Sequence, residues 1–202
     1  MINMVKLPTK KSNLFLRVAK GHFATSHSHI NYYIDVTTQK SRLSEAKAVA
    51  KELVAAYQHS TIVDTVLCLD GTQVIGTCLA NELTKDGFAN MNAHQTIYVI
   101  TPEYTTGSQI ILRDNLAPMV KGKHVLILAA SITTGYTVQA AVEAVNYYGG
   151  TVAGLSAILP PPMSAWAMKS PPSLTPPACR TTPALTAATA PCARPASTSM
   201  RW

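Results

Sequence analysis

Apolar positions along this chain fall into short runs and longer helical stripes that alternate. Leu14, Leu16 and Val18 alternate with Phe15, Arg17 and Ala19, which predicts a short strand. Ala46, Val49, Ala50, Leu53, Val54 and Tyr57 form a continuous stripe at helical spacing, so Ser44 to Tyr57 reads as a helix with Ser44 as its N-cap. Ile62 to Leu69 is a strand, and a helix follows through Val74, Leu79 and Leu83 to a stop at Gly87. Thr96 to Thr101 is another strand. Val125 to Leu128 is an apolar run long enough for a buried strand and too short for a core helix. It turns through Ala129, Ala130 and Ser131 into a helix over Val138 to Tyr148, with Val138, Ala141, Val142, Val145 and Tyr148 on one face. Gly149-Gly150 ends that helix, and Thr151 to Leu159 is a last strand.

Strand and helix signals that alternate this way predict an α/β fold, a mostly parallel central sheet of about five strands flanked by helices. Two strand–loop–helix junctions are chemically distinctive. One holds Leu69, Asp70, Gly71 and Thr72. The other holds Thr133, Thr134, Gly135, Tyr136 and Thr137, three hydroxyls around one glycine where a helix begins. Helix N-termini present unpaired N–H groups and partial positive charge, which suits a phosphate. The plain alternative is that the threonines only cap the helix. For Asp70-Gly71 the plain alternative is an ordinary turn. No Walker-type glycine-lysine motif is present.

The run VLILAASITTGYT, Val125 to Thr137, resembles the phosphoribosyl-diphosphate (PRPP) signature of type I phosphoribosyltransferases. The resemblance implies that Thr133, Thr134, Gly135, Tyr136 and Thr137 hold a 5′-phosphate. Ala129 and Ala130 stand where the family carries an acidic pair for the ribose hydroxyls. Leu69 to Thr72 stand where the family cradles pyrophosphate. The segment Gly21 to Asp35 is similar to the N-terminal hood of orotate phosphoribosyltransferases, with Ser28, Tyr32, Tyr33 and Asp35 in the expected order. Phe23, Tyr32 and Tyr33 become candidate walls of a base pocket, in a hood within about residues 1–40. The family's mobile loop falls on Pro102 to Leu116, where Arg113 is the one basic side chain between Gln95 and Lys121.

The resemblance further implies PRPP or a nucleoside monophosphate as ligand, Mg²⁺ accompanying PRPP, transfer of phosphoribosyl to a nucleobase with release of pyrophosphate, and a homodimer. The missing acidic pair and loop lysines point instead to a non-catalytic sensor on the same fold, with Asp114 or Glu103 as possible replacement carboxylates. A third alternative is a structural or interaction protein. No catalytic residue is assigned.

Composition narrows the partners. Net charge is +7, but residues up to Leu159 hold 13 basic and 10 acidic side chains, and the rest comes from Lys169, Arg180, Arg194 and Arg201. No basic stripe with interleaved aromatics appears, which argues against nucleic acid. No run approaches the about 18 apolar residues of a membrane span. The opening residues lack a signal-like apolar core, and a cytoplasmic protein is expected. Cys68, Cys78, Cys179 and Cys192 show no metal-ligand spacing. His22, His27 and His29 cluster, but no carboxylate or cysteine completes a set, so no protein-bound metal site is predicted. Residues 1–159 form the predicted domain. Residues 160–202 hold 10 of the 13 prolines, no glycine and no acidic residue, which reads either as a disordered tail or as a reading-frame artefact.

Overall fold

The computed structural model describes residues 4–8, 15–24, 29–87, 90–93, 95–107, 109–132 and 135–159. The expectations for Ser28, Thr133, Thr134 and the tail 160–202 lie outside the described residues. Four of the apolar runs build one parallel sheet. Its strands are β4 (Thr65–Cys68), β5 (Tyr98–Ile100), β8 (His124–Ser131) and β9 (Thr151–Leu159), in the order β5-β4-β8-β9. Parallel strands are covered on both faces and so read as continuous apolar stretches. All four residues of β4 and six of the eight in β8 are buried.

Helices α2 (Leu43–Val54) and α3 (Gln73–Leu83) cover one face, against Val66, Cys68, Leu126, Leu128 and Ile158. Helix α4 (Tyr136–Tyr147) covers the other, against Leu67, Val125, Ile127 and Leu155. A separate antiparallel sheet holds β1 (Met4–Pro8), β2 (Phe15–Ala24) and β3 (His29–Asp35), followed by a short helix α1 (Thr37–Ser41). Buried Gln39 ties the two parts together by donating its side-chain amide to the Phe15 carbonyl at 2.6 Å. No described helix is long and apolar enough to cross a membrane.

Several expectations need correction. The described parallel sheet has four strands rather than about five, because the hood strands pair among themselves. Within the hood segment, residues 21–24 and 29–35 are strand. Helix α2 starts at Leu43 on the backbone of Arg42 with no side-chain cap, so Ser44 is not the N-cap. The strand after Lys123 does not stop at Leu128 but runs to Ser131, held by the ladder to β9 through Ala129↔Ala157 and Ser131↔Leu159. Within the segment expected as a mobile loop, β6 (Glu103–Tyr104) and β7 (Ile110–Ile111) pair as a small antiparallel hairpin.

Candidate functional site

Both glycine-centred junctions lie at the carboxyl edge of the sheet, at the ends of the adjacent strands β4 and β8. This is where parallel α/β sheets bind ligands. After β4, Leu69 donates its N–H to the Leu128 carbonyl at 2.8 Å. Asp70 (φ 52°) and Gly71 (φ 76°) then both take left-handed backbone, turning the chain sharply into α3. Asp tolerates that region better than most residues, and Gly71 has no Cβ to oppose it. Thr72 is fully buried and its hydroxyl is used by the scaffold, donating to Leu69 O (2.8 Å) and Leu128 O (3.1 Å). Of the four predicted loop residues, Asp70 and Gly71 therefore face solvent, while Leu69 and the Thr72 side chain are core.

Two side chains that sequence reasoning missed meet this turn. Lys40, on α1, donates its ammonium to the Asp70 carbonyl at 2.8 Å and lies 4.0 Å from where a Gly71 Cβ would stand. Asp35 starts that helix by accepting the Thr37 N–H at 2.9 Å. Tyr104, from the β6–β7 hairpin, lies close enough to Asp70 for the two groups to influence each other's ionisation. Desolvation raises the Asp70 carboxyl above its ordinary range and the charge of Lys40 partly offsets it. Desolvation, and then the Asp70 charge, raise the Tyr104 phenol, which stays neutral at pH 7. No spacing in the sequence links Lys40 or Tyr104 to Asp70, since the contacts span 30 and 34 positions.

At the second junction, Gly135 (φ 83°) is the N-cap of α4, and no side chain caps the helix. Nothing lies within 4 Å of where its Cβ would be, so backbone conformation rather than crowding selects glycine here. Tyr136 and Thr137 are exposed in the first turn. Ala129 (1% exposed) and Ala130 (4%) continue the in-and-out alternation of β8, one packed into each core layer. The position that would hold ribose hydroxyls is thus filled with apolar packing.

The one cation of the 102–116 segment is already paired. Arg113 donates from Nε to Glu103 Oε1 at 2.6 Å and makes a second contact to the same oxygen through Nη2. Glu103 is therefore occupied and is no replacement ribose ligand. The Tyr148 hydroxyl accepts the Leu112 N–H and donates to the Leu112 carbonyl, both at 3.1 Å, anchoring the hairpin's return to α4. In the hood, the rings of Phe23 and Tyr33 approach with centroids 5.6 Å apart. Tyr32 lies opposite Lys20 and Tyr33 opposite Ala19, so these successive strand residues face opposite sides. Tyr32 is not brought together with the other two.

A magnesium ion finds no fitting carboxylate pair at this edge. The alanines offer no oxygen, and the described residues contain no cluster of three metal-ligating side chains. Asp70 is the carboxylate at the β4 turn.

No family model matches the chain, and no curated protein matches it. Solved structures do. Leishmania donovani UMP synthase aligns at TM-score 0.55 and 22% identity, over 75% of this chain and 30% of that one. Mycobacterium tuberculosis orotate phosphoribosyltransferase, in complex with inorganic phosphate, aligns at 0.50 and 19%, over 75% and 80%. Saccharomyces cerevisiae adenine phosphoribosyltransferase aligns at 0.53 and 12%, over 80% and 92%. This chain thus spans under a third of the UMP synthase it matches. Identities this low speak to fold alone. The β5-β4-β8-β9 sheet with helices on both faces, its two glycine turns on one edge, and these alignments together establish that the chain has the type I phosphoribosyltransferase fold.

Proposed function

We propose that this chain binds a phosphorylated ribose, PRPP or a nucleoside monophosphate, at the carboxyl edge of its sheet. The observation that carries the reading is the pair of left-handed turns, Asp70-Gly71 and Gly135, each opening a helix at the end of neighbouring parallel strands. The 5′-phosphate sits on the first-turn amides of α4 with Thr137, and with Thr133 and Thr134. The pyrophosphate sits on the Asp70-Gly71 turn, with Lys40 supplying the positive charge that the 102–116 segment lacks. Tyr104, on the neighbouring hairpin, borders this turn. Phe23 and Tyr33 wall the base. A bound PRPP in this arrangement would pass its phosphoribosyl group to a nucleobase nitrogen, with pyrophosphate leaving. Such chemistry rests on positioning and on positive charge where the leaving group becomes negative.

A second reading rests on the burial of Ala129 and Ala130 and on the Glu103–Arg113 pair. With no carboxylate pair for the ribose and no spare loop cation, the chain holds the ligand as a sensor without turning it over.

Calorimetric titration with PRPP, with and without Mg²⁺, tests the binding. Thr137→Ala and Lys40→Gln should each weaken it about tenfold, the equivalent of ~1.4 kcal/mol, and Lys40→Arg should largely restore it. Saturable binding with pyrophosphate release in the presence of orotate or adenine supports the transferase. Saturable binding without release supports the sensor. No binding by a folded chain overturns both and leaves Gly135 as a plain helix cap.

A further inference from the structure

The hood carries a second chemical feature, apart from the phosphate edge. In the β2–β3 ladder, Lys20 lies opposite Tyr32 and Phe23 opposite Ile30. Gly21 and His22 therefore stand against the single residue Asn31, which makes a bulge. Bulges re-aim a side chain. Here the bulge turns His22 onto His29, seven positions away on the facing strand. The two rings lie with centroids 4.9 Å apart and 22° between planes, and His22 Nε2 is 3.0 Å from His29 Nδ1. Both residues are exposed.

One proton joins two imidazole nitrogens in that contact, so at least one nitrogen presents a lone pair to the other. Neutral imidazole is a preferred ligand of late first-row divalent ions. Two imidazoles on one tetrahedral zinc, each at ~2.0–2.1 Å, have nitrogens roughly 3.3 Å apart. The observed pair is already within a few tenths of an ångström of that spacing. Replacing the shared proton by a metal requires only rotation of two exposed rings.

We propose that His22 and His29 form a two-imidazole site for a zinc-class divalent ion. Water completes its coordination, since no further described His, Cys, Asp or Glu joins the pair. The ion ties the two hood strands across the bulge. It thereby fixes the neighbouring Phe23, whose ring closes over Gly21 so tightly that a Cβ there would stand 3.0 Å from it. Neither histidine takes part in the ribose-phosphate reading, so zinc binding stands or falls apart from it.

The test is calorimetric titration of the untagged full chain with zinc chloride, alongside thermal melts with and without zinc. The expected result is saturable binding near one ion per chain and a raised melting temperature. Both should be lost, with at least tenfold weaker binding, in His22→Ala and in His29→Ala, and kept in His59→Ala. The two hood variants should melt like the parent without zinc, since both rings are exposed. Absence of saturable binding in the parent overturns the proposal. So does binding that survives in the His22→Ala/His29→Ala double variant, or that needs only one of the two histidines.

Discussion

Gly76 places the β4 turn against the sheet, and its replacement offers a quantitative test of that packing. It lies inside α3, where alanine would ordinarily be worth about 1 kcal/mol more than glycine. A Cβ built there would stand 2.3 Å from Cys68 Sγ, with Val99 Cγ1 at 3.4 Å and Val66 Cγ1 at 3.5 Å. The two valine contacts are ordinary, whereas the sulfur contact falls more than 1 Å inside van der Waals range. Cys68 cannot swing aside at low cost, because it is fully buried between α3 and β4. Overpacking of this kind costs about 1–3 kcal/mol. Net of the helical gain, Gly76→Ala should destabilise by up to roughly 2 kcal/mol and lower the melting temperature by up to about 8 °C. Cys68→Ala removes the obstructing sulfur at a modest cavity cost. In that background Gly76→Ala should be neutral or stabilising by up to ~1 kcal/mol. The double-mutant cycle, read by thermal and urea denaturation, should therefore show a favourable coupling of about 2 kcal/mol. An equal cost for Gly76→Ala in both backgrounds would refute the steric reasoning. The expected ordering also bears on the site, since displacement of α3 moves the Asp70-Gly71 turn that precedes it.

Two further outcomes follow. At the opposite end of the sheet, burial alone would raise the Asp64 carboxyl, but the His124 N–H (2.8 Å), its ring Nδ1 (2.9 Å) and the charges of His124 and Lys123 hold it below its ordinary value. A depressed folded pKa gives stability that is present above the unfolded value of about 3.9 and lost as pH falls through the folded one. Melting temperatures measured across acid pH should therefore fall more steeply for the parent than for Asp64→Asn and converge below about pH 4; parallel curves would exclude the linkage. At β8, Ala129→Asp and Ala130→Asp each put an unpaired carboxylate into a core layer, and each should cost about 3 kcal/mol or more in urea denaturation. Normal stability with gained transferase activity in the double variant would show that these positions face the ligand rather than the core.

Much of the fold is legible in local pattern. The helical stripe of α2, the apolar runs of β4, β8 and β9 and the glycine stop after α4 are all short-range features, and each became the element its pattern predicted, with ends shifted by a few residues. The hood was less legible. Gly21 to Asp35 is rich in polar and aromatic residues and carries no clear strand pattern, yet it pairs as strands because β1 and β3 supply partners that no local window contains. Ser44 is a good N-cap by type, but the chain enters the helix two positions earlier, with Arg42 as the N-cap.

By itself, the sequence determined which segments could be strand or helix and where glycine had to relieve left-handed backbone, because periodicity and φ are properties of neighbouring residues. It also marked the absence of acidic residues at 129 and 130. Tertiary structure alone decided what those alanines do: both sit in the core because β8 runs on to Ser131 under the pull of its ladder to β9. It alone turned the Thr72 hydroxyl inward, paired Arg113 with Glu103, set Lys40 on the Asp70 turn and brought Tyr104 near it. Charges and hydroxyls act over a few ångströms in space, and the chain brings them together only when strands and helices far apart in sequence close on one another.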